Sequence, residues 1–277
     1  MKNKTMRIIA FILAVVLIGG LVWFANAMNG NPISAMLAKK TATEYLAEKF
    51  SHTDYYIESI GYNFKDGNYY AHIRSDSSID TQFTLHITMT GKLRYDTYDS
   101  VTEGFVTARR LESEYRALTD TILDAEDYPY KAENGWGFGT LEIYPPEALT
   151  DPNVTDIPAY AIDQSTLILD HDYDIRALGQ QAGHLIIYVD SDTVTAEHAS
   201  EIMLDIKGRF DAAEIPFKAM DFVLQYPRSD EEMRPEGEVR VKDFLYEDIY
   251  AEGMTDRILL ADAELKVYYA ELDAKYK

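Results

Sequence analysis

The sequence predicts an α+β protein with an N-terminal transmembrane helix, then a helix/antiparallel-sheet unit, then a second α/β unit with a βαβ crossover. Three observations lead to this prediction. The chain opens with an uncharged apolar run, alternating strand patterns follow in 55–98, and two continuous apolar strands flank a helical pattern in 185–226. The predicted divisions are 1–27 for the cytoplasmic start and transmembrane helix, 31–126 for the first α+β domain, 127–158 for a junction and 159–277 for the second α/β domain.

The apolar run from Ile8 to Ala25 contains eighteen residues and no charge. About twenty residues of helix cross a hydrocarbon core about 30 Å thick, so residues 8–27 are long enough to span a membrane. Lys2, Lys4 and Arg7 precede the run, and basic flanks stay in the cytoplasm. The prediction is a bacterial cell-membrane protein with one span, a cytoplasmic N-terminus and an extracytoplasmic C-terminal part.

The same segment also fits a cleaved signal peptide. Ala25-Asn26-Ala27 has the small-x-small form of a cleavage site. Against cleavage, the apolar run is longer than the usual signal core of about 7–15 residues. The length favours an uncleaved signal-anchor, and secretion after cleavage at Ala27 stays open as the alternative.

Composition restricts the class of partner. The net charge is −21, and residues 1–27 carry +3, so the rest of the chain carries −24. A strongly acidic surface is repelled by phosphate backbones and by anionic lipid surfaces, and the first of these argues against nucleic-acid binding. The sequence has no cysteine, so disulfides and thiolate chemistry are excluded, which is typical of a bacterial surface protein.

Local signals define the first domain. Asn31-Pro32 is a good N-cap and first turn for a helix, and Asp66-Gly67 predicts a β-hairpin. Apolar and polar residues alternate from Gln82 to Met89, which predicts a half-buried strand. Ser100-Val-Thr-Glu103 matches a capping box and predicts the start of a long helix.

The junction is rich in proline and glycine, and a short strand is predicted at Gly139–Tyr144. Its Gly-Trp-Gly-Phe-Gly motif at 135–139 does not match a phosphate loop, because no Lys-Ser/Thr follows. In the second domain, the pattern predicts these elements: a buried strand at Leu185–Val189, a helix capped by Thr195, a strand at Ala219–Tyr226, an edge strand at Glu238–Asp243 and a helix from Thr255 to about Asp273.

Asp190 and Asp192 follow the apolar strand in the sequence LIIYVDSDTV. This pattern resembles the first motif of haloacid-dehalogenase-like phosphatases, which implies a nucleophile, a general acid/base and a bound Mg²⁺. The family's phosphate-binding Ser or Thr is absent after the next strand, and no downstream acidic pair follows. The opposing interpretation is that both carboxylates complement a helix N-terminus.

Three histidines are candidate metal ligands. His72 and His86 alternate onto the polar face of the first sheet, where a zinc site competes with an ordinary solvated face. His171 lies between alternating aspartates, Asp170, Asp172 and Asp174. This spacing lacks the glycine of a calcium loop, so a solvated turn is the better interpretation.

Several stretches together resemble the YfjL-like proteins, which are uncharacterised membrane-anchored proteins of low-GC Gram-positive bacteria. The resemblance spans nearly all of the chain after the apolar run and implies no activity and no site residue. The stretches that carry it are Gly30–Ser34, Tyr62–Gly67, Arg109–Leu111, Glu114–Arg116, Gly183–Leu185, Ile215–Phe217, Asp221–Pro227, Val239–Val241 and Phe244–Tyr250.

Residues 33–98 are also similar in pattern to PepSY and cystatin-like modules, which are small extracytoplasmic binding or inhibitory units. No catalytic, cofactor-binding or metal-binding residue is assigned from the sequence, and no cofactor is predicted. The sequence therefore favours a non-enzymatic binding or interaction module whose partner is an unknown protein or envelope component. The alternative is a metal-dependent hydrolase or phosphatase using Asp190 and Asp192.

Overall fold

A computed structural model of the protein describes residues 2–130, 132, 137–228 and 237–275, so Gly135 and Trp136 of the glycine-rich motif lie outside the described residues. The helices are α1 (Lys2–Asn29), α2 (Pro32–Lys49), α3 (Asp99–Thr102), α4 (Phe105–Leu123), α5 (Pro146–Thr150), α6 (Ile175–Ala182), α7 (Ala196–Ala212) and α8 (Met254–Lys275). The strands are β1 (Tyr56–Asn63), β2 (Asn68–Arg74), β3 (Gln82–Thr88), β4 (Leu93–Asp96), β5 (Gly137–Leu141), β6 (Ile143–Tyr144), β7 (Ile162–Asp163), β8 (Gly183–Asp190), β9 (Ala219–Gln225) and β10 (Glu238–Leu245).

The first helix carries the predicted apolar run. Among the described residues, one helical stretch, Met6–Lys49, includes a segment that is long and apolar enough to cross a membrane. Its most apolar window has a mean hydropathy of 2.8, and none of that window is buried. The predicted N-terminal apolar helix is therefore confirmed.

The chain divides into two compact units, Met1–Thr107 and Ala108–Lys277. In the first unit, β1 to β4 form an antiparallel sheet in chain order, and α2 packs on one face of it. Asn31 caps α2, because its side chain accepts a hydrogen bond from the backbone N–H of Ser34 at 2.9 Å. The shared core includes Ala38, Ala42, Leu46, Ala71, Ile73, Phe83, Leu85 and Ile87.

The helix predicted to begin at Ser100 is not continuous. The structure has a short helix α3, a break at Glu103–Gly104, and then α4. Gly104 has a φ of +79°, a left-handed conformation that ends helices and that glycine adopts without steric cost. The Ser100 hydroxyl donates to the carbonyl of Thr97 at 2.6 Å, so it does not act as the predicted N-cap.

The second unit contains a four-stranded sheet in the order β10-β9-β8-β5. Strands β8 and β9 are parallel and α7 connects them in sequence, whereas β10 and β5 run antiparallel to their neighbours. Helices α7 and α8 supply much of the core on one face, with Ile202, Met203, Ile206 and Ile258 against Leu185, Ile187, Phe222 and Leu224. The α+β class and the antiparallel sheets are confirmed, while the PepSY-like or cystatin-like character of the first unit and the predicted crossover stay predictions.

Helix α4 contributes to both units. Val106 is buried in the core of the first unit, whereas Leu111 and Tyr115 are buried with Leu141 and Ala182 in the second. The division at 107/108 therefore falls inside a helical segment and not in the proline-rich region 127–158. That region supplies β5, β6 and α5 to the second unit.

Candidate functional site

The candidate site lies at the N-terminal end of β8. Side chains alternate across a strand, and Leu185, Ile187 and Val189 point into the core formed with α7. His184 therefore lies on the other face of the sheet, where it is nevertheless only 5% exposed. A histidine buried to this extent requires polar partners, since an unpaired ring nitrogen in the interior is costly.

Carboxylates bind both nitrogens of the His184 ring. The Nδ1 atom lies 2.8 Å from Oε1 of Glu142, and the Nε2 atom lies 2.9 Å from Oδ1 of Asp221. A ring that donates from both nitrogens is an imidazolium cation. Burial by itself lowers the pKa of His184, but the hydrogen bonds to Asp221 and Glu142 outweigh burial and raise this pKa to about 9.

Glu142 is positioned by the connection between β5 and β6. Its N–H donates to the carbonyl of Ala182 at 2.9 Å, and its own carbonyl accepts from the N–H of Ile162 at 2.8 Å. The Tyr144 hydroxyl donates to the second carboxylate oxygen of Glu142 at 2.7 Å. Burial raises the pKa of Glu142, but the hydrogen bonds from His184 and Tyr144 outweigh it, and the pKa lies below its usual value.

Asp243 enters the site through a bulge in β10, where the pairing with β9 shifts register. Its φ of +51° is left-handed, which is uncommon for a residue other than glycine. This conformation directs the Asp243 N–H to Oδ1 of Asp221 at 2.7 Å. Burial, followed by repulsion from Asp221, raises the pKa of the Asp243 carboxyl.

A tyrosine and a lysine complete the surroundings. The Tyr160 hydroxyl donates to Oδ1 of Asp243 at 3.1 Å and lies 3.3 Å from Nδ1 of His184. Burial and the Asp243 charge both raise the pKa of Tyr160. Lys242 lies beside Asp243 in the chain, but its Nζ atom pairs with Asp156 at 3.5 Å. Within this group, the carboxylates Glu142, Asp221 and Asp243 thus outnumber the single cation His184.

This arrangement can serve two chemical purposes. As it stands, the imidazolium crosslinks β8, β9 and the β5–β6 connection. Alternatively, His184, Asp221 and Asp243 each offer a ligand atom, and these atoms lie within 4.8 Å of one another. In the part of the chain that the structure describes, this is the one group of three such side chains found close enough to hold a metal ion.

The structure places Asp190 and Asp192 at the opposite end of β8. His184 and Asp190 are six residues apart along a strand, which corresponds to about 20 Å. Asp190 is half-buried and pairs in register with Gln225 of β9, while Asp192 is exposed. Among the described residues, neither aspartate belongs to a group of three potential metal ligands.

The histidines considered in the first sheet occupy its polar face. His72 pairs in register with Thr84, and its Nδ1 lies 3.2 Å from the Thr84 hydroxyl. His86 stacks on Tyr95 with ring centroids 4.0 Å apart, and burial lowers its pKa. Neither histidine belongs to a metal-ligating group within the described part of the chain.

The acidic loop around His171 caps a helix. The side chain of Asp174 accepts hydrogen bonds from the backbone N–H groups of Arg176 and Ala177, at 3.0 and 3.1 Å. These bonds satisfy free N–H groups at the start of α6. The carbonyl of His171 accepts a hydrogen bond from Arg110 at 3.1 Å. The loop thus has a structural explanation in this arrangement.

Sequence reasoning did not assign Glu142, Tyr160, His184, Asp221 or Asp243 to one site. Consecutive members of this group are 18 to 37 residues apart along the chain, so no spacing motif connects them. Two signals were present: a histidine at the start of a continuous apolar strand, and an aspartate inside the apolar run Ala219–Tyr226. Charged or titratable residues in strands of this kind require partners, and those partners come from elsewhere in the chain.

The fold and the site define an α+β protein with an unburied apolar N-terminal helix and a second unit that contains a histidine–carboxylate cluster around the buried His184. Two family models match the chain. The YfjL-like N-terminal domain matches residues 5–97, and the YfjL-like C-terminal domain matches residues 114–259. The chain therefore belongs to the YfjL-like family, in agreement with the resemblance noted in its sequence.

No curated protein matches the chain. The chain is similar to a DUF5037 family protein from Ruminococcus gnavus ATCC 29149, known from a crystal structure at 2.55 Å resolution. The identity is 16%, the match covers 69% of this chain and 74% of that one, and the TM-score is 0.20. At that TM-score the likeness supports no conclusion about this chain.

Proposed function

We propose that the protein is anchored in the bacterial cell membrane by α1, with its N-terminus in the cytoplasm and both folded units outside, and that it binds a partner there. The observation that carries this proposal is the apolar window of α1, none of which is buried. An apolar surface of this size is unfavourable in water, and large exposed apolar surfaces mark contacts with a membrane or a partner. Lys2, Lys4 and Arg7 favour a cytoplasmic start.

The end of α1 is joined closely to the first sheet. The Tyr69 hydroxyl accepts from the N–H of Asn31 and donates to its carbonyl, both at 2.9 Å. The Tyr62 hydroxyl donates to the carbonyl of Ala27 at 3.3 Å. Ala27 lies inside α1, so this hydrogen bond joins the last turns of α1 to β1. The first unit would then stay at the membrane surface.

A binding role is supported by the form of the first unit. A helix packed on a four-stranded antiparallel sheet is similar in outline to PepSY and cystatin-like modules, which bind or inhibit other molecules outside the cytoplasm. This support is an analogy of fold. The partner we propose is a protein or a component of the cell envelope.

The anchor is tested by extracting membranes at alkaline pH and measuring the intact mass of the protein. We expect the chain to stay in the membrane pellet with residues 1–27 present. A mature chain that begins at Met28 and is released into the medium would overturn the anchor. For the binding role, crosslinking in intact cells followed by purification is expected to recover a specific partner, and recovery of the protein alone would contradict it.

A second candidate function is binding of a divalent cation, and the cluster of His184, Asp221 and Asp243 favours it. An imidazole with carboxylate oxygens is a ligand set that suits Zn²⁺ and similar transition metals. Glu142, which lies 2.8 Å from Nδ1, would help to orient the His184 ring, as carboxylates do behind many metal-binding histidines. Binding would replace the ring proton by the metal.

Calorimetry on the purified full-length protein with ZnCl₂ tests this second function. We expect one site whose heat of binding disappears in Asp221→Asn and remains in Asp192→Asn, the matched change at the other end of β8. Binding that is equal in both variants, or no heat in the unaltered protein, would refute it.

A further inference from the structure

One end of the first sheet carries both of its tight hairpin turns. Strand pairing places Asn63 opposite Asn68 and Asn68 opposite Thr88, so the β1–β2 and β3–β4 turns lie at the same end. The junction between α1 and α2 lies there too, because Asn31 is bonded to Tyr69 next to the first turn. We call this end, comprising residues 30–40, 62–68 and 88–92, the proximal end.

The second turn also contacts α2 at this end. The Thr41 hydroxyl of α2 donates to the carbonyl of Gly91 at 2.6 Å. Gly91 lies so close to Leu37 that an added Cβ would be 2.9 Å from the Leu37 side chain. The turn and the start of α2 therefore form one surface, and α1 leads directly into it.

Large apolar side chains are exposed on the proximal end. Ile33 is 71% exposed, Met36 is 70% exposed and Phe64 at the tip of the first turn is 53% exposed. Met89 in the second turn is exposed as well. Ile33 and Met36 are on the side of α2 away from the sheet, since Ser34 and Ala38 face it. Burial against the rest of the first unit therefore does not account for these four apolar residues.

Charge distinguishes the proximal end from the rest of this acidic chain. Exposed lysines at this end are Lys39, Lys40, Lys65 and Lys92. Lys40 forms an exposed pair with Glu44 at 3.8 Å, and Asp66 is engaged by the Tyr70 hydroxyl. At the opposite end, the β2–β3 connection contains Asp76 and Asp80 and binds Asp54 through Ser75 and Ser77. The positive end is the one from which α1 emerges.

We propose that the proximal end is a lipid-binding surface. Ile33, Met36, Phe64 and Met89 insert into the headgroup region of the membrane that α1 crosses, and the lysines bind anionic phospholipid headgroups. Apolar side chains beside lysines form the pattern by which proteins bind at an anionic bilayer interface. This inference rests on the proposed anchor, because α1 brings the surface to the bilayer. It adds a second membrane contact that fixes the orientation of the first unit.

The natural absence of cysteine allows a direct test with single spin labels in the full-length protein. Met36→Cys and Phe64→Cys report the proximal end, and Val16→Cys reports the anchor. Ile79→Cys is the matched control, because Ile79 is 65% exposed and lies in the connection at the opposite end of the sheet. Each labelled protein is placed in vesicles of phosphatidylglycerol and phosphatidylcholine, and its collision rates with oxygen and a water-soluble nickel chelate are measured.

We expect the oxygen-to-nickel ratio at positions 36 and 64 to exceed the ratio at position 79 several-fold. Water-exposed values at 36 and 64, with a lipid-exposed value at 16, would overturn the lipid-binding surface and leave the anchor intact. A water-exposed value at position 16 would instead refute the proposed function. For the charge contribution, Lys65→Gln with Lys92→Gln is expected to lower the ratio at position 64 in anionic vesicles only. An equal effect in pure phosphatidylcholine would contradict headgroup binding.

Discussion

Replacing His184 by glutamine is expected to remove a pH-dependent part of the stability of the second unit. Its side chain is only 6% exposed and lies between Glu142 and Asp221, at 2.8 and 2.9 Å. In the metal-free protein this histidine is the positive charge that offsets two buried or partly buried carboxylates. Glutamine has a similar size and a hydrogen-bonding head, but it carries no charge.

The magnitude follows from the pKa of His184, which rises from 6.5 to about 9 on folding. Each pH unit between these values is worth about 1.4 kcal/mol, so the protonated ring contributes about 3 kcal/mol to the free energy of unfolding. Because the folded pKa is raised, this contribution is fully present below pH 6.5 and is lost as the pH rises through about 9. The free energy of unfolding should therefore fall across that window.

The assay is urea unfolding of the detergent-solubilised full-length protein in EDTA, followed by circular dichroism from pH 6 to pH 10. At pH 6, His184→Gln should be less stable than the unaltered protein. As the pH rises through the window, the free energy of unfolding of the unaltered protein should fall by about 3 kcal/mol more than that of His184→Gln. His86→Gln is the matched control. His86 stacks on Tyr95, and among the described residues no carboxylate is hydrogen-bonded to its ring. Parallel pH profiles for the unaltered protein and His184→Gln would refute the reasoning.

Three further predictions concern the fold. Tyr115→Phe should lower the free energy of unfolding by about 1–2 kcal/mol in urea titrations, because the buried Tyr115 hydroxyl donates to the carbonyl of Pro216 at 3.0 Å; an unchanged midpoint would contradict it. Gly30→Ala should speed proteolysis near residue 30, because Gly30 has a φ of +72° and an added Cβ would lie 2.4 Å from the Tyr69 hydroxyl. Gly20→Ala is the control and should have no such effect, because a Cβ at position 20 meets no neighbour. Thr195→Ala should lower the free energy of unfolding by about 1 kcal/mol in thermal unfolding, because the Thr195 side chain caps α7 by accepting from the N–H of His198. Thr195→Ser keeps a hydroxyl and should retain most of that stability.

Much of the second sheet could be predicted from local patterns. The apolar run at Leu185–Val189 became the buried strand β8, and the predicted Thr195 cap begins α7 as expected. Both features depend on residues within one element, where periodicity and capping rules apply directly. The break at Gly104 shows the limit of such rules, because a capping-box match at Ser100 did not reveal the left-handed glycine four residues later.

The candidate site could not be predicted in the same way. Glu142 is placed by the β5–β6 connection, Asp221 by the parallel pairing of β8 with β9, and Asp243 by a bulge in β10. Each of these placements depends on long-range pairing, which composition and local spacing do not encode. The Asp190–Asp192 motif is contiguous and can therefore be recognised in the sequence, while the cluster at the other end of the same strand has no contiguous signature.

The central claim is that α1 anchors the chain and leaves both folded units outside the cell. Labelling of single cysteines in intact cells with a membrane-impermeant maleimide tests it most directly, because the protein has no cysteine of its own. Asp172→Cys places an exposed thiol in the second unit, and Lys4→Cys places one before the anchor. We predict that Asp172→Cys in the membrane fraction is labelled in intact cells, whereas Lys4→Cys is labelled only after permeabilisation. Labelling of Lys4→Cys in intact cells, or labelling of Asp172→Cys only after permeabilisation, would contradict the account.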